Sequence, residues 1–285
     1  METAKKILVP TDFSDTAHNA LKATLLLSTK QKVEIFLVHF YHIPVMVDTM
    51  GQPMPIIEDR EDLAEMSEEK LNLLRNEISF QYPDIKVHTL VIQSLMIDSL
   101  PSLCIERDID MIVCGTKGAD WLEEHLTGTN TTSVLGDISI PIMVIPDKAS
   151  IKNLHKIVFA TDFQFADISV LSEIASLAKP FSATIEVVHM SLSPPKDQDA
   201  FEWMEEIGSQ RVKYPAITYH NMTSLKPTYH NLNEFLETQN ADLLVMTTTG
   251  KNFFQRIFSG SLTWEMACHS NTPLLIYHIQ DNKLD

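Results

Sequence analysis

The amino-acid sequence predicts an α/β protein of two tandem doubly wound domains, each a five-stranded parallel sheet with helices on both faces. Two observations predict this fold: the chain repeats itself once, and in each copy short apolar strands alternate with helical patterns. Because consecutive parallel strands need a crossover connection, which is usually a helix, this alternation favours a parallel sheet. Right-handed crossovers then place helices on both faces of each sheet.

The repeat is visible at three places. Lys6–Phe13 recurs as Lys156–Phe163 and Val38–His39 recurs as Val188–His189, both 150 residues later, whereas Asp110–Cys114 recurs as Asp242–Met246, 132 residues later. The second copy has therefore lost 18 residues between its second and fourth strands. We predict an N-terminal domain over residues 1–149 and a C-terminal domain over residues 150–285, each of an ordinary domain size.

Each copy contains five short apolar runs rich in β-branched residues. The predicted strands are Ile7–Pro10, Val33–His39, Lys86–Ile92, Met111–Cys114 and Ile142–Ile145, then Ile157–Ala160, Ile185–His189, Ile217–Asn221, Leu243–Thr247 and Leu274–Tyr277. Ser14 is a candidate N-cap for a first helix whose apolar residues follow an i, i+3, i+4 spacing. A longer helix is predicted over about residues 61–80, with Leu63, Met66, Leu74 and Ile78 on one side, and shorter ones near 99–107 and 131–137.

Composition limits the possible partners and compartments. The chain carries 22 basic and 38 acidic residues, and 23 of the acidic residues lie in the first 150 positions. An acidic surface repels a phosphate backbone, so we expect no nucleic-acid partner. The sequence contains no apolar run of membrane-helix length and no signal-peptide pattern, which indicates a cytoplasmic protein without a membrane contact. Three isolated cysteines make a disulfide framework or a zinc site a poor interpretation.

A glycine-containing loop follows the fourth strand of the first copy. It starts with Gly115 and Gly118, and Gly128 follows after nine intervening residues. Backbone N–H groups in such a loop, next to a helix N-terminus, form a cradle suited to phosphate. In doubly wound sheets, ligands bind at the carboxyl ends of the strands, where the winding direction reverses. Asp12 follows the first strand at the same edge, where its carboxylate can accept hydrogen bonds from a ribose or a base.

Other nucleotide-binding motifs are missing from the sequence. There is no GxxxxGK[ST] motif, no GxGxxG motif after the first strand, no His-Ile-Gly-His box and no Ser-Gly-Gly loop. These absences argue against a P-loop NTPase, a dinucleotide-binding Rossmann domain, a synthetase and a pyrophosphatase-type enzyme.

The motifs that are present resemble those of the universal stress protein family, over nearly the whole chain and twice. Val9–Asp12 resembles the family's first-strand Val-Pro-Thr-Asp, and Gly115, Gly118, Gly128 and Thr129 resemble its G-x2-G-x9-G-[ST] pattern. The resemblance implies five parallel strands per domain and binding of ATP or AMP, with or without Mg²⁺, together with a role in stress response. It implies that Pro10, Thr11 and Asp12 face the adenosine, that the backbone of Val38, His39 and Phe40 edges the adenine, and that Gly115, Gly118, Gly128, Thr129, Asn130 and Thr131 surround the phosphates. Lys117 is added from its own chemistry, because a cation beside the cradle suits a phosphate, and the alternative of a solvated loop lysine without a ligand stays open.

The second copy departs from this pattern. Thr247 replaces the first glycine and Thr249 replaces Lys117, while Gly250, Gly260 and Ser261 persist at the family's spacing. If the replaced glycine has a left-handed conformation, a β-branched residue there costs about 1–2 kcal/mol. We therefore expect a weakened second site, comprising Thr161, Asp162, Gly250, Gly260 and Ser261, although a second site that tolerates the change stays open.

Chemistry beyond binding has little support in the sequence. His39 and His189 end equivalent strands, and we interpret both as structural or site-edge residues rather than as bases. His39 and His42 share a segment without a third ligand, so no metal site is assigned. Paired carboxylates or a nucleophile–base pair would indicate an enzyme, and neither arrangement is visible in the sequence. A slow ATPase and an interaction scaffold that binds no nucleotide remain as alternatives.

The last strand of each copy is flanked by proline, which suits a strand at a sheet edge: Pro141–Pro146 and Pro273–His278. In the family that the sequence resembles, such strands pair between protomers. The resemblance thus implies an intramolecular pseudo-dimer of the two halves, and it leaves further homodimerisation open.

Overall fold

A computed structural model describes residues 4–42, 46–47, 53–54, 60–115, 140–149, 151–164, 166–191, 194–223, 229–249, 262–263, 266 and 270–279. In the first half the chain forms β1 (Lys5–Pro10), α1 (Asp15–Ser28), β2 (Val33–Tyr41), β3 (Met46–Val47), β4 (Pro53–Met54), α2 (Arg60–Gln81), β5 (Lys86–Gln93), α3 (Met96–Arg107), β6 (Met111–Gly115) and β7 (Ile142–Ile145). In the second half it forms β8 (Lys156–Ala160), α4 (Asp167–Ala178), a 3-10 turn (Lys179–Phe181), β9 (Thr184–Ser191), α5 (Pro194–Arg211), β10 (Ile217–Thr223), α6 (Tyr229–Gln239), β11 (Leu243–Thr249) and β12 (Leu274–Ile279).

Ten of the described strands form one continuous sheet in the order β10-β9-β8-β11-β12-β7-β6-β1-β2-β5. Within each half the five strands are parallel, which confirms the predicted α/β fold class. The two halves meet where β7 pairs with β12 in antiparallel orientation, with Val144 opposite Leu274. Each of these strands is the edge strand of its own half, as the proline pattern predicts, and the mutual pairing covers both edges.

The order of the strands fixes where the winding reverses. In the first half β2 and β5 lie on one side of β1, whereas β6 and β7 lie on the other. The reversal therefore falls between β1 and β6. In the second half it falls between β8 and β11 by the same reasoning. A crevice opens at the carboxyl ends of the strands at such a point, and this is where ligands bind in open α/β sheets.

The sheet is buried on both faces, as a parallel sheet covered by helices requires. Along β1, Ile7 and Val9 belong to the core under α1, whereas Leu8 packs on the opposite face with residues of α3. The Ser14 hydroxyl accepts a hydrogen bond from the Ala17 N–H at 3.3 Å, which confirms the predicted N-cap of α1. This cap orients α1 so that its apolar face packs on β1 and β6.

The prediction for α2 is wrong about its first turns. Leu63 and Met66 are 47% and 54% exposed, whereas Leu71 and Ile78 are buried. α2 lies against β5 and β2, and this packing covers the second half of the predicted stripe, where Ile78 is buried and Leu74 half-buried, but not its first turns. The helix predicted from residue 99 begins earlier, at Met96.

Several predictions lie outside the described residues, among them the helix near residues 131–137. Apart from the main sheet, β3 and β4 form a short antiparallel pair in which Met46 lies opposite Met54. In the described part of the chain, no helix is both long enough and apolar enough to cross a membrane.

Candidate functional site

The first strand ends in a turn whose polar groups are held by the backbone. The Thr11 N–H donates to the Val38 carbonyl at 2.9 Å, which extends the pairing of β1 with β2 by one residue. The Thr11 hydroxyl accepts from the Phe13 N–H at 3.1 Å, and Phe13 has a φ of 66°, in the left-handed region. The Asp12 carboxylate, which is exposed, accepts from the Ser14 N–H at 2.9 Å. The turn thus presents a carboxylate of fixed orientation at the edge of the sheet.

His39 supports this turn from the neighbouring strand. Its Nδ1 lies 2.8 Å from the Thr11 carbonyl oxygen and, because a carbonyl only accepts, Nδ1 carries the proton and donates. The ring also packs against Phe13, with centroids 4.7 Å apart. In the second half the Nδ1 of His189 donates to the Thr161 carbonyl at the same distance of 2.8 Å. Both histidines therefore have the structural role that their repetition suggests.

Gly115 brings the end of β6 into contact with the start of α1. A Cβ at this position would lie 2.7 Å from the carbonyl carbon and oxygen of Thr16. The φ of Gly115 is not in the left-handed region, and Thr247, its counterpart, is not among the described residues with a positive φ. The condition for a left-handed penalty at Thr247 is therefore not met: close approach of two backbones requires the glycine in the first half, not a left-handed conformation.

The structure thus places Thr11, Asp12 and Gly115 around the point where the winding reverses. Val38 is fully buried and its carbonyl already accepts from the Thr11 N–H, while His39, Phe40 and Pro10 are half-buried beside it. The other predicted phosphate-binding residues, Lys117, Gly118, Gly128, Thr129, Asn130 and Thr131, lie outside the described residues, as do Gly250, Gly260 and Ser261 of the second half.

The second half contains a buried carboxyl group that the sequence analysis missed. Asp167 is fully buried in the first turn of α4. It accepts hydrogen bonds from the Thr161 hydroxyl at 2.5 Å and from the Thr247 hydroxyl at 3.1 Å. Thr161 directly follows β8 and Thr247 lies on β11, so this carboxyl group bridges the two strands at which the winding of the second half reverses.

A paired change in the repeat could have revealed this bridge. With the offsets of 150 and 132 residues, Asp167 corresponds to Ala17 and Thr247 corresponds to Gly115. A carboxyl group and its hydroxyl donor therefore replace an alanine and a glycine together. Burial raises the pKa of Asp167 above its ordinary value, while hydrogen bonds from Thr161, the Gln164 N–H and Thr247 partly oppose this shift.

Comparison with known proteins gives the family. The model of the universal stress protein family matches residues 3–146 and again residues 153–278. Universal stress protein MJ0577 of Methanocaldococcus jannaschii is 27% identical over 158 residues, which cover 51% of this chain and 97% of that protein. A universal stress protein from Archaeoglobus fulgidus has a crystal structure that covers 98% of this chain and 97% of its own, with 19% identity and a TM-score of 0.71.

A second solved structure, of a universal stress protein in complex with cAMP, covers 45% of this chain and 98% of its own with 18% identity. Its TM-score of 0.38 is too low for this match to assign a ligand here. The two family matches, the tandem sheets and the strand-end motifs all agree on one classification. The chain belongs to the universal stress protein family and contains two tandem domains of it.

Proposed function

We propose that the N-terminal half binds an adenine nucleotide, ATP or AMP, and that the protein acts as a nucleotide-dependent regulator in stress response. The observation that supports this most is the convergence of Asp12 and Gly115 at the reversal point between β1 and β6. A ligand in this crevice would contact a carboxylate on one side and the start of the glycine loop on the other.

Asp12 suits the hydroxyl groups of a ribose. One carboxylate oxygen is held by the Ser14 N–H, and the residue is exposed at the edge of the sheet. An ionised carboxylate accepts hydrogen bonds only, which matches the donors of a ribose diol. The phosphates would then lie along the glycine loop, where Lys117 adds a cation and the N–H groups of Gly118, Gly128 and Thr129 add donors.

The second half is proposed to bind nucleotide more weakly, if at all. The Asp167 carboxyl group bridges Thr161 and Thr247 between β8 and β11, where the first half has Ala17 and Gly115 and so no carboxyl group. When ionised, this carboxylate repels a phosphate. It also accepts the hydrogen bonds of the Thr161 and Thr247 hydroxyl groups, which are then not available to a ligand. Asp162 is exposed like Asp12, so the two halves differ at the centre of the crevice rather than at this acid.

Isothermal titration of the full chain with ATP and with AMP, with and without Mg²⁺, tests the proposal. Asp12→Ala should weaken binding about 10- to 100-fold, the range expected when a charged hydrogen-bond partner is lost. Asp162→Ala is the matched control, since it removes the equivalent acid from the second half, and it should leave the main site unchanged.

Three results would count against the proposal. Absence of binding to both ATP and AMP at millimolar concentration would refute the proposal of nucleotide binding. Equal losses for Asp12→Ala and Asp162→Ala would refute the assignment to the N-terminal half. Tight binding that neither variant changes would show that the ligand lies elsewhere.

A further inference from the structure

The first half contains a pocket on the face of the sheet that α1 and α2 cover. It has a volume of about 270 Å³ and is lined mainly by apolar side chains. Val9 and Leu37 of the sheet and Leu21 of α1 lie buried beneath it, while Leu73 and Leu74 of α2 border it, with Leu73 69% exposed. Lys70 of α2 lies at its polar end. A pocket of this size is slightly smaller than the roughly 300–1,000 Å³ typical of drug-sized ligands, so it suits a smaller molecule.

The equivalent region of the second half carries larger side chains. Phe159 stands where the first half has Val9 and is fully buried. Phe201 of α5 packs edge-on against Phe163 with ring centroids 5.8 Å apart, and Met204 of the same helix is fully buried. The fold thus does not require the cavity. An open apolar cavity forgoes the dispersion contacts that these larger side chains make, and this favours a ligand as its occupant.

The charge at the polar end indicates the sign of that ligand. Lys70 and His18 are the titratable residues that line the pocket, and no carboxylate is among the described residues that do so. The neighbours of Lys70 three and four positions away on the helix are Met66, Ser67, Leu73 and Leu74, so it has no acidic partner at helical spacing. Its Nζ lies 5.2 Å from the centroid of the Phe13 ring, over the ring and beside the cavity.

We propose that this pocket is a second ligand site of the N-terminal half, which binds a small carboxylate with an apolar body, such as a medium-chain fatty acid. The apolar body lies among Val9, Leu21, Leu37 and Leu74, and the carboxylate pairs with Lys70. Burial of each methylene group is worth about 0.8 kcal/mol, so a chain of several carbons supplies most of the affinity. The site does not depend on the proposed nucleotide, although Thr11 and Phe13 border both.

Octanoate is the probe for the test, with methyl-labelled full-length protein observed by NMR. We expect saturable shifts of the Val9, Leu21, Leu37 and Leu74 methyl signals. The signals of Leu171 and Val187, which occupy the positions equivalent to Leu21 and Leu37 in the second half, should stay in place. Octanol has the same chain without the charge and should bind several-fold more weakly.

Two variants separate the walls of the pocket from its charge. Val9→Phe copies the residue that the second half uses at this position and should reduce octanoate affinity tenfold or more. Lys70→Met should weaken octanoate but not octanol. If Val9→Phe disturbs the methyl spectrum of the second half, Leu74→Phe fills the pocket from α2 instead and should give the same loss.

The proposal is overturned if millimolar octanoate causes no saturable shift, or if Leu171 and Val187 respond as strongly as Leu21 and Leu37. It is also overturned if octanoate binds folded Val9→Phe or Leu74→Phe as well as it binds the natural chain. Equal weakening of octanoate and octanol by Lys70→Met would overturn the assigned charge pairing.

Discussion

Replacement of Gly115 by alanine tests the contact that brings β6 to the start of α1. The added Cβ would lie 2.7 Å from the carbonyl carbon and oxygen of Thr16 and 2.9 Å from its Cβ. Carbon atoms pack best at about 3.5–4.0 Å, so strand and helix must separate by roughly 1 Å. Two of the three atoms belong to the backbone, which means that no side-chain rotation relieves the clash.

The cost follows from what must move. α1 packs against β6 and β1, and β6 is buried throughout. Overpacking of this kind costs about 1–3 kcal/mol, and we expect the free energy of unfolding to fall by that amount. Urea-induced unfolding followed by circular dichroism measures it. Because the same shift displaces the start of the glycine loop, ATP affinity should fall about tenfold or more, which corresponds to about 1.4 kcal/mol.

Gly208→Ala is the matched control. A Cβ at Gly208 meets the terminal hydroxyl of Tyr219, an atom that side-chain rotation can move away. Gly208 lies inside α5, where alanine also improves helix propensity by about 1 kcal/mol, so this variant should cost less than Gly115→Ala. The reasoning is refuted if Gly115→Ala unfolds within about 0.5 kcal/mol of the natural chain, the range of an ordinary surface substitution.

Two further predictions concern buried titratable groups. Burial raises the pKa of Asp167, so the folded state binds its proton more tightly than the unfolded state and stability falls as pH rises from about 4 through the raised pKa. The free energy of unfolding of Asp167→Asn, minus that of the natural chain, should therefore increase over that pH range in urea titrations. A difference that is independent of pH would contradict the raised pKa of Asp167. Burial also raises the pKa of the Cys104 and Cys114 thiols to about 12 each. At pH 8 only about 1 in 10⁴ of these thiol groups is then ionised. Iodoacetamide should therefore alkylate neither cysteine in the native protein and both in urea, which peptide mass spectrometry measures. Rapid alkylation of Cys114 in the native protein would contradict its burial.

Local patterns in the sequence predict the strands and the cap of the first helix well. The ten predicted strands are all present, because a short apolar run with β-branched residues has few alternatives to a buried strand. Ser14 caps α1 because an N-cap depends on residues three positions apart. The buried side of α2 was not predictable in the same way. Leu63 and Leu71 are equally apolar, and only the position of β5 decides which of them is covered.

The candidate site likewise has features set by neighbouring residues and features set by packing between distant ones. The repeat and the strand-end motifs determine the family, the tandem domains and the position of Asp12 after the first strand, because each can be read from neighbouring residues or a fixed offset. Only the tertiary structure decided why Gly115 is a glycine, since Thr16 is far from it in sequence and meets it through the packing of α1 on β6.

Other differences between the halves also depend on that packing. The Asp167 bridge joins residues of three separate elements, and the pocket beside Val9 is open because the facing helix carries leucine and lysine rather than phenylalanine. The sequence by itself thus determined the fold, the family and the expected edge of the site. The tertiary structure decided how the two halves differ at that edge, because contacts between distant residues depend on how closely their elements approach.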